Sequence, residues 1–179
     1  NPLFNHAGGD DAFVAKLDSD GSRLWNTFLG SSGLDISDAI AIDKKDNVYV
    51  AGDSDSTWGN PSNDYTAKTD IFAAKLNNNG VRQWHAFLGG TGNDICRGLA
   101  LDQNGSIYVT GYSDSTWGEP VNSHSGDRDA YVAKFNEAQP DLETLKANDA
   151  DGSSKVGIPF SWTVTISNTG SGNAIFNED

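Results

Sequence analysis

The amino-acid sequence predicts an all-β fold built from repeated four-stranded antiparallel units. Three observations support this fold class: a repeat with a fixed period, short apolar runs within each repeat, and turn-forming residues between the runs. Residues 11–69 align with residues 70–128 without a gap, and 27 of the 59 positions are identical. Self-similarity at a fixed period is typical of repeat architectures, so the repeat organises the rest of the interpretation.

Each repeat contains four runs whose length and composition are typical of strands. The runs are rich in β-branched and aromatic residues, and turn sequences such as Asp18–Gly21, Asn77–Gly80 and Asp102–Gly105 separate them. In residues 1–135 no helix-length stretch lacks Gly, Pro, Asn or Asp. The strands predicted for the complete repeat are Ile36–Asp43, Val48–Asp53, Asp70–Asn77 and Val81–Gly89.

Four-stranded units at a fixed period predict a β-propeller, in which each repeat forms one blade with its first strand nearest the central channel. The blades are a partial one over 1–30, a full one over 31–89 and a partial one over 90–138. Residues 1–10 match the end of a long inter-strand loop, because Pro2, His6 and Gly8 correspond to Pro120, His124 and Gly126. A closed propeller has about four to eight blades, so we expect either an excerpt of a longer chain or several short chains in a ring.

The composition is that of a globular protein and limits the classes of partner. Hydrophobic residues make up 36% of the 179 residues. The formal net charge of −13 argues against nucleic acid and anionic membrane surfaces as partners. No apolar run is long enough to span a membrane. The single cysteine, Cys96, permits no internal disulfide, and its alignment with Ser37 predicts a small packed residue.

Four blocks of the repeat resemble the bacterial β-propeller repeat family called SBBP. These blocks are Asp11–Leu17, Trp25–Gly30, Ala41–Asp43 with Asn47–Gly52, and Ser56–Gly59, and each of them occurs twice in order. The resemblance covers residues 1–135. It implies a secreted or cell-surface protein of bacteria or archaea, of a family whose members are usually large and multidomain, and it does not imply one activity.

The sequence changes character after residue 138. The repeat does not continue into a Trp-Phe-Leu-Gly strand; instead, Val156–Phe160 and the alternating run Ser161–Ile166 lead to a turn at Asn168–Gly170. Residues 139–179 resemble the opening of the Ig-like β-sandwich modules of bacterial surface proteins, cut off before completion because such a module needs about 100 residues. A short helix over Pro140–Ala147 is the alternative, since Pro suits the first helical position.

Acidic residues at two turns could bind calcium, the one cofactor that the sequence suggests. Asp18 and Asp20 bracket one turn, and Asp149 and Asp151 precede Gly152 in the other. Oxygen ligands at alternate positions before a glycine are typical of a calcium loop. The alternative is a hairpin turn, which the uncharged counterpart Asn77–Asn79 favours for the first pair.

The recurrent Ser-Thr-Trp-Gly loop provides the candidate ligand-binding residues. Trp58 and Trp117 could stack on sugar rings, with Asp55 and Asp114 as hydrogen-bonding partners. Alternatively, each Trp fixes its long loop against the neighbouring blade. Asp35 and Asp94 recur at the start of the first strand, where a structural role in capping backbone donors is expected.

The sequence shows no catalytic constellation, so a non-enzymatic role is expected. The three histidines are predicted to lie in solvated loops or hairpins, without the spacing of a metal site. We expect an extracellular scaffold or adhesion module that presents blade loops to a protein or glycan. The propeller of a secreted polysaccharide-active hydrolase and a self-assembling structural subunit are the alternatives. Open sheet edges at both ends of the array predict self-association.

Overall fold

The computed structural model describes residues 1–135, 142–148 and 162–168, and side chains up to residue 134. The chain divides into two compact units, Asn1–Asn136 and Glu137–Asp179. Every regular element among the described residues is a strand. The strands are β1 (Ala12–Leu17), β2 (Arg23–Leu29), β3 (Asp35–Ile42), β4 (Val48–Ser54), β5 (Asp70–Leu76), β6 (Arg82–Leu88), β7 (Asp94–Leu101), β8 (Ile107–Ser113), β9 (Asp129–Phe135), β10 (Leu142–Asn148) and β11 (Trp162–Asn168).

The first unit contains three antiparallel sheets that follow the repeat. They are a first sheet of β1 and β2, a middle sheet in the order β3-β4-β5-β6, and a third sheet in the order β7-β8-β9. The middle sheet confirms the predicted four-stranded unit, and its strands begin and end within one residue of the predicted bounds. The first sheet thus corresponds to the outer half of the middle one, and the third sheet lacks the counterpart of β6 among the described residues.

The middle sheet is apolar on both faces, because successive side chains of a strand point to opposite sides. On one face Val48, Val50 and Phe72 pack with Ala12 and Val14 of the first sheet. On the other face Tyr49, Ala51 and Ile71 pack with Cys96, Ile107 and Val109 of the third sheet. The three sheets are therefore stacked face to face, as the blades of a propeller are.

Short hairpins close one end of the sheets with the same side-chain contact each time. The carboxylate of Asp18 accepts the N–H groups of Asp20 and Ser22 at 3.0 and 2.8 Å. The Asn77 side chain makes the same contacts with Asn79 and Val81, both at 3.0 Å. Asp43 and Asp102 hold the other two hairpins in the same way. The predicted hairpin turns are confirmed, and the acceptor oxygen, shared by Asp and Asn, is the feature they require.

A bulge interrupts the first strand of both longer sheets at equivalent positions, Asp38 and Arg97. Next to the bulge the second strand carries a glycine, Gly52 or Gly111, at which a Cβ atom would overlap the carbonyl oxygen of Ile36 or Ile95. The backbones of the two strands therefore approach too closely for any other residue.

The burial of the strand aromatics differs in part from expectation. The sequence predicts that Trp25, Phe28, Trp84 and Phe87 are largely buried. Phe87 is fully buried, whereas the other three are half-buried. Trp25 lies at the hairpin end, where its indole N–H donates to the carbonyl oxygen of Asn78 at 3.0 Å. Its ring thus packs at the edge of the core between the first and middle sheets and against a turn of the middle sheet.

In the second unit, β10 and β11 form one antiparallel pair that matches Leu142 with Asn168 and Asn148 with Trp162. The alternative of a helix over Pro140–Ala147 is wrong, because Leu142–Asn148 is a strand. The remainder of the Ig-like module stays a prediction, since most of its residues lie outside the described ranges. Within those ranges no helix is long and apolar enough to cross a membrane.

The glycine beside the bulge generates a prediction. Gly52→Ala should lower the free energy of unfolding by about 2–4 kcal/mol, because the added methyl group forces β3 and β4 apart in a packed sheet. Gly98→Ala is the matched control in a strand, since the nearest atom to its Cβ is a side-chain carbon of Thr110 at 3.2 Å. Urea unfolding of both variants measures the difference; equal stabilities would show that the close approach does not constrain the sheet.

Candidate functional site: the loop end of the sheets and the groove beside β9

The long loops of every repeat meet at the end of the sheets opposite the hairpins. This loop end consists of residues 30–34, 55–69, 89–93 and 114–128. Asp35 organises it, because its carboxylate accepts the Ser54 hydroxyl at 2.5 Å and the Ser31 N–H at 2.9 Å. Asp94 repeats both contacts, with Ser113 at 2.5 Å and Gly90 at 2.8 Å. The expected structural role of the two aspartates is confirmed, and burial raises the pKa of Asp35.

Asp55 and Asp114, two of the predicted ligand-binding residues, tie the loops of one repeat together. Asp55 accepts the N–H of Leu34 at 2.9 Å. Asp114 accepts both the N–H and the side-chain amide of Asn93, at 2.6 and 2.7 Å. The hydrogen bonds from Asn93 lower the pKa of the Asp114 carboxyl. Both carboxylates thus already have partners within the protein, and their role toward a ligand stays a prediction.

Trp58 is 5% exposed and packs on the outer strands of its own sheet. Its indole stacks on the imidazole of His85 with the ring centroids 4.0 Å apart and the planes 7° from parallel. The rings of Phe72 and Phe87 meet it edge-on, at 5.5 and 5.6 Å. With these neighbours the ring offers no open face to a sugar. Trp58 anchors the long loop on its own sheet, within the core cluster that this sheet shares with the first sheet.

The burial of His85 is a finding that sequence reasoning missed, since a solvated histidine was expected. His85 is 1% exposed, and its Nε2 lies 2.6 Å from the carbonyl oxygen of Trp58. A neutral ring with the proton on Nε2 satisfies that contact. Burial lowers the pKa of His85 to about 4. The repeat alignment offered the signal, because it places His85 in a strand between Trp84 and Phe87.

Trp117 is the equivalent residue of the third sheet, and its surroundings differ. It is half-buried and meets the Tyr131 ring edge-on at 5.4 Å. It lines an open cavity of about 650 Å³, here called the groove, that runs between β9 and the loop of the third repeat. The groove is lined by Ser113, residues 115–124 and residues 129–134. Trp117, one of the predicted ligand-binding residues, therefore lies beside a cavity.

The calcium prediction has two parts with different outcomes. Asp18 and Asp20 lie in an exposed hairpin whose contacts are reproduced by the uncharged Asn77 turn. Among the described residues no group of three or more His, Cys, Asp or Glu side chains is arranged to hold a metal ion. Asp149 and Asp151 lie outside the described residues, so calcium binding at that turn stays a prediction.

A group of polar contacts at Asp53 and Arg97 connects the middle and third sheets. Asp53 accepts the N–H of Cys96 at 2.6 Å, and the Arg97 guanidinium lies 3.7 Å from the other carboxylate oxygen. Arg97 also contacts Asp38, its counterpart in the preceding repeat, at 3.3 Å. Burial, with a contribution from Asp38, raises the pKa of Asp53 to about 6. Burial likewise raises the pKa of Cys96 to about 11, so the thiol stays protonated, as expected of a packed residue.

Stacked antiparallel sheets that share these hydrogen bonds at equivalent positions define a β-propeller-type repeat protein. Comparison with known families agrees: the model of the β-propeller repeat SBBP matches residues 25–57 and 83–116. The two matched segments start in the fourth strand of one repeat and end in the Ser-Thr-Trp-Gly loop of the next, so each crosses from one sheet to its neighbour.

Two curated proteins are similar to this chain. An uncharacterized WD repeat-containing protein of Acanthamoeba polyphaga mimivirus is 30% identical over 121 residues, which cover 59% of this chain and 9% of that protein. The regulatory protein FlaEY of Caulobacter vibrioides is 30% identical over 135 residues, which cover 72% of this chain and 14% of that protein. The chain therefore spans a small part of either relative.

The buried His85 generates a prediction about acid stability. Its folded-state pKa is about 4, below the usual 6.5. The stability that comes from keeping His85 neutral is therefore complete above pH 6.5 and is lost progressively as the pH falls from 6.5 to 4. His85→Asn, the residue found at the equivalent Asn26, removes this loss. The stability difference between the two proteins should shift by about 2–3 kcal/mol in favour of the variant between pH 7 and pH 4.5.

Urea unfolding at the two pH values measures the shift. Asp53, whose raised pKa changes stability with pH in the opposite direction, affects both proteins equally, so its effect cancels in the comparison. NMR titration of the imidazole checks the pKa directly. A His85 pKa near 6.5, or a difference that does not depend on pH, would contradict the buried neutral ring.

Proposed function

We propose that this chain is a non-enzymatic protein-interaction scaffold of the cell surface or extracellular space, with the loop end as its binding face. One observation carries the proposal. Residues 52–59 and 111–118, which anchor the loops, share seven of eight positions, whereas the loop segments 60–69 and 119–128 share two of ten. A constant frame with variable loops is typical of a scaffold for recognition.

The polar contacts of the loop end support a binding role over a catalytic one. Asp35, Asp55, Asp94 and Asp114 all accept hydrogen bonds from the loops that they hold. A carboxylate that is engaged in this way, and that recurs in each repeat, fits a framework better than a single reacting centre. The protein named as WD repeat-containing among the relatives is consistent with a repeat scaffold.

The charge of the chain indicates the chemistry of the partner. With a net charge of −13, the protein attracts a basic surface and repels an acidic one. The partner that fits is a protein with a positively charged face, recognised through the loop segments of successive repeats. A glycan is the other ligand that the loops could accept, and the experiment below distinguishes the two.

Exchanging the variable loop segments tests whether they bind the partner. A partner is first identified by applying the chain to arrays of extracellular protein domains and of glycans. Replacing residues 119–128 with the sequence of residues 60–69 should abolish binding to the protein that is identified, with little change in melting temperature, because the anchoring residues are kept. Lys45→Ala, at an exposed hairpin position of the opposite end, is the control and should leave binding unchanged.

Two results would overturn the proposal. The first is binding that survives the loop replacement but is lost in the hairpin control. The second is turnover of a polysaccharide, ester or peptide substrate that disappears when one Asp or His is changed, since this would establish the hydrolase alternative. Binding to glycans alone would replace the protein partner by a carbohydrate.

A further inference from the structure

Two aspartates from neighbouring sheets converge at the loop end where the middle and third sheets meet. They are Asp70, the first residue of β5, and Asp94, the first residue of β7. A Cβ atom on Gly89 would lie 2.6 Å from Oδ1 of Asp70 and 2.6 Å from Oδ2 of Asp94. The two carboxylate oxygens therefore face the same small space, which stays open because residue 89 has no side chain.

One oxygen of this pair is buried without a partner. Asp70 is 0% exposed, and its Oδ1 atom has no hydrogen-bond partner among the described residues, whereas its Oδ2 atom accepts the Thr66 N–H at 2.6 Å. Asp94 is also 0% exposed; its Oδ1 accepts the Ser113 hydroxyl and its Oδ2 the Gly90 N–H. A buried carboxylate oxygen without a partner costs free energy. Its position beside a second carboxylate points to a positively charged ligand.

The same arrangement recurs between the first and middle sheets, 59 positions earlier in the sequence. A Cβ atom on Gly30 would lie 3.0 Å from Oδ1 of Asp11 and 2.6 Å from Oδ2 of Asp35. Oδ1 of Asp11 is again buried without a hydrogen-bond partner in the described part of the chain, and Asp35 is 2% exposed. A chance packing defect is not expected at both junctions, so the unpartnered oxygen is a feature of the repeat.

The negative charges of each pair act on one another without a neighbouring cation to offset them. Burial raises the pKa of Asp70, and the charge of Asp94 raises it further. Burial likewise raises the pKa of Asp35, with contributions from Asp11 and Asp55. In both cases the opposing effects are hydrogen bonds and not the charge of a basic side chain. Each junction therefore concentrates negative charge in a place that water reaches poorly, which favours binding of a cation.

We propose that a calcium ion binds between Asp70 and Asp94, and that a second calcium ion binds at the equivalent pair of the other junction. Calcium takes oxygen ligands in a flexible geometry, and main-chain carbonyl oxygens and water complete its shell. Two carboxylates match the charge of a divalent ion, so a group of three acidic side chains is not required. Gly30 and Gly89 are half-buried, which leaves the ion a path from solvent.

These sites differ from the turns at which the sequence suggests calcium. Asp18 and Asp20 share one exposed hairpin, whereas each proposed ion joins two neighbouring sheets. Asp70 also ends the long loop of the middle sheet, so the ion would hold the frame from which that loop extends. The inference goes beyond the proposed function and does not depend on which partner the loop segments bind.

Thermal unfolding of the full chain, with and without calcium, tests the inference. The melting temperature in EDTA is compared with that in about 10 mM calcium chloride. Extracellular calcium sites commonly have dissociation constants of about 0.1–1 mM. With such an affinity, the melting temperature should rise by about 5 °C or more, because the ion binds the folded chain and not the unfolded one.

The variant Asp70→Asn separates ion binding from a purely structural role of the side chain. The amide keeps an oxygen that can accept the Thr66 N–H, but it removes one of the two charges. Titration calorimetry should then show one calcium ion fewer per chain, and in EDTA the variant should be at least as stable as the unmodified chain, because the repulsion between the carboxylates is gone. Asp18→Asn is the matched control, since Asn77 is its natural counterpart, and it should leave calcium binding unchanged.

The corresponding change at the other junction, Asp35→Asn, should also remove one calcium ion per chain. The measurements on the unmodified chain do not depend on the folding of either variant. Two results would overturn the inference. The first is a melting temperature that calcium leaves unchanged, since a proton or a water molecule would then be enough between the carboxylates. The second is calcium binding that both variants retain in full, since this would place the ion elsewhere, as at the turn of Asp149 and Asp151.

Discussion

Face-to-face burial between neighbouring sheets is the constraint on which this structure depends. The same repeat position is 63% exposed at Phe13 and 0% exposed at Phe72, because a sheet covers that face only in the second case. On the opposite face Val14 and Ala73 are 4% and 1% exposed, whereas Val132 is 75% exposed. Burial is thus a property of the stack and not of the single repeat, so stability grows with each neighbour added.

Given this stack, the acidic composition has a structural explanation. One class of aspartates supplies acceptor oxygens to hairpin turns, and a second class holds the loop end. Within the second class Asp70 and Asp94 approach each other across neighbouring sheets, since a Cβ on Gly89 would lie 2.6 Å from an oxygen of each. Burial raises the pKa of Asp70, and the negative charge of Asp94 raises it further. Burying these carboxylates costs free energy. The cost is offset because they accept hydrogen bonds from backbone N–H groups that would otherwise be buried without partners.

The sequence alone was enough to predict the features that depend on neighbouring residues and on the period of the repeat. Strand bounds, hairpin turns and the roles of Asp35 and Asp94 follow from residues close together in the chain. The remaining features depend on contacts between distant segments. The stacking of Trp58 on His85 requires the loop to fold back over its own fourth strand, and no local pattern encodes that path. The sequence shows that no fourth-strand motif follows β9, but which residues line the groove depends on how the loop of the third repeat folds, and no local pattern encodes that path.

Electrostatics distinguishes the binding of a basic protein from the self-association that open sheet edges predict. Two copies that each carry a net charge of −13 repel each other, so self-association through sheet edges relies on backbone hydrogen bonds and apolar contacts, which salt does not screen. Raising the salt concentration from about 0.05 to 0.5 M should therefore strengthen self-association, because the Debye length falls from about 14 to 4 Å. Binding of a basic protein at the loop end should weaken over the same range. Light scattering measures the first trend and titration with the partner the second. Self-association that weakens as salt rises would mean that charged contacts, and not paired sheet edges, hold the copies together.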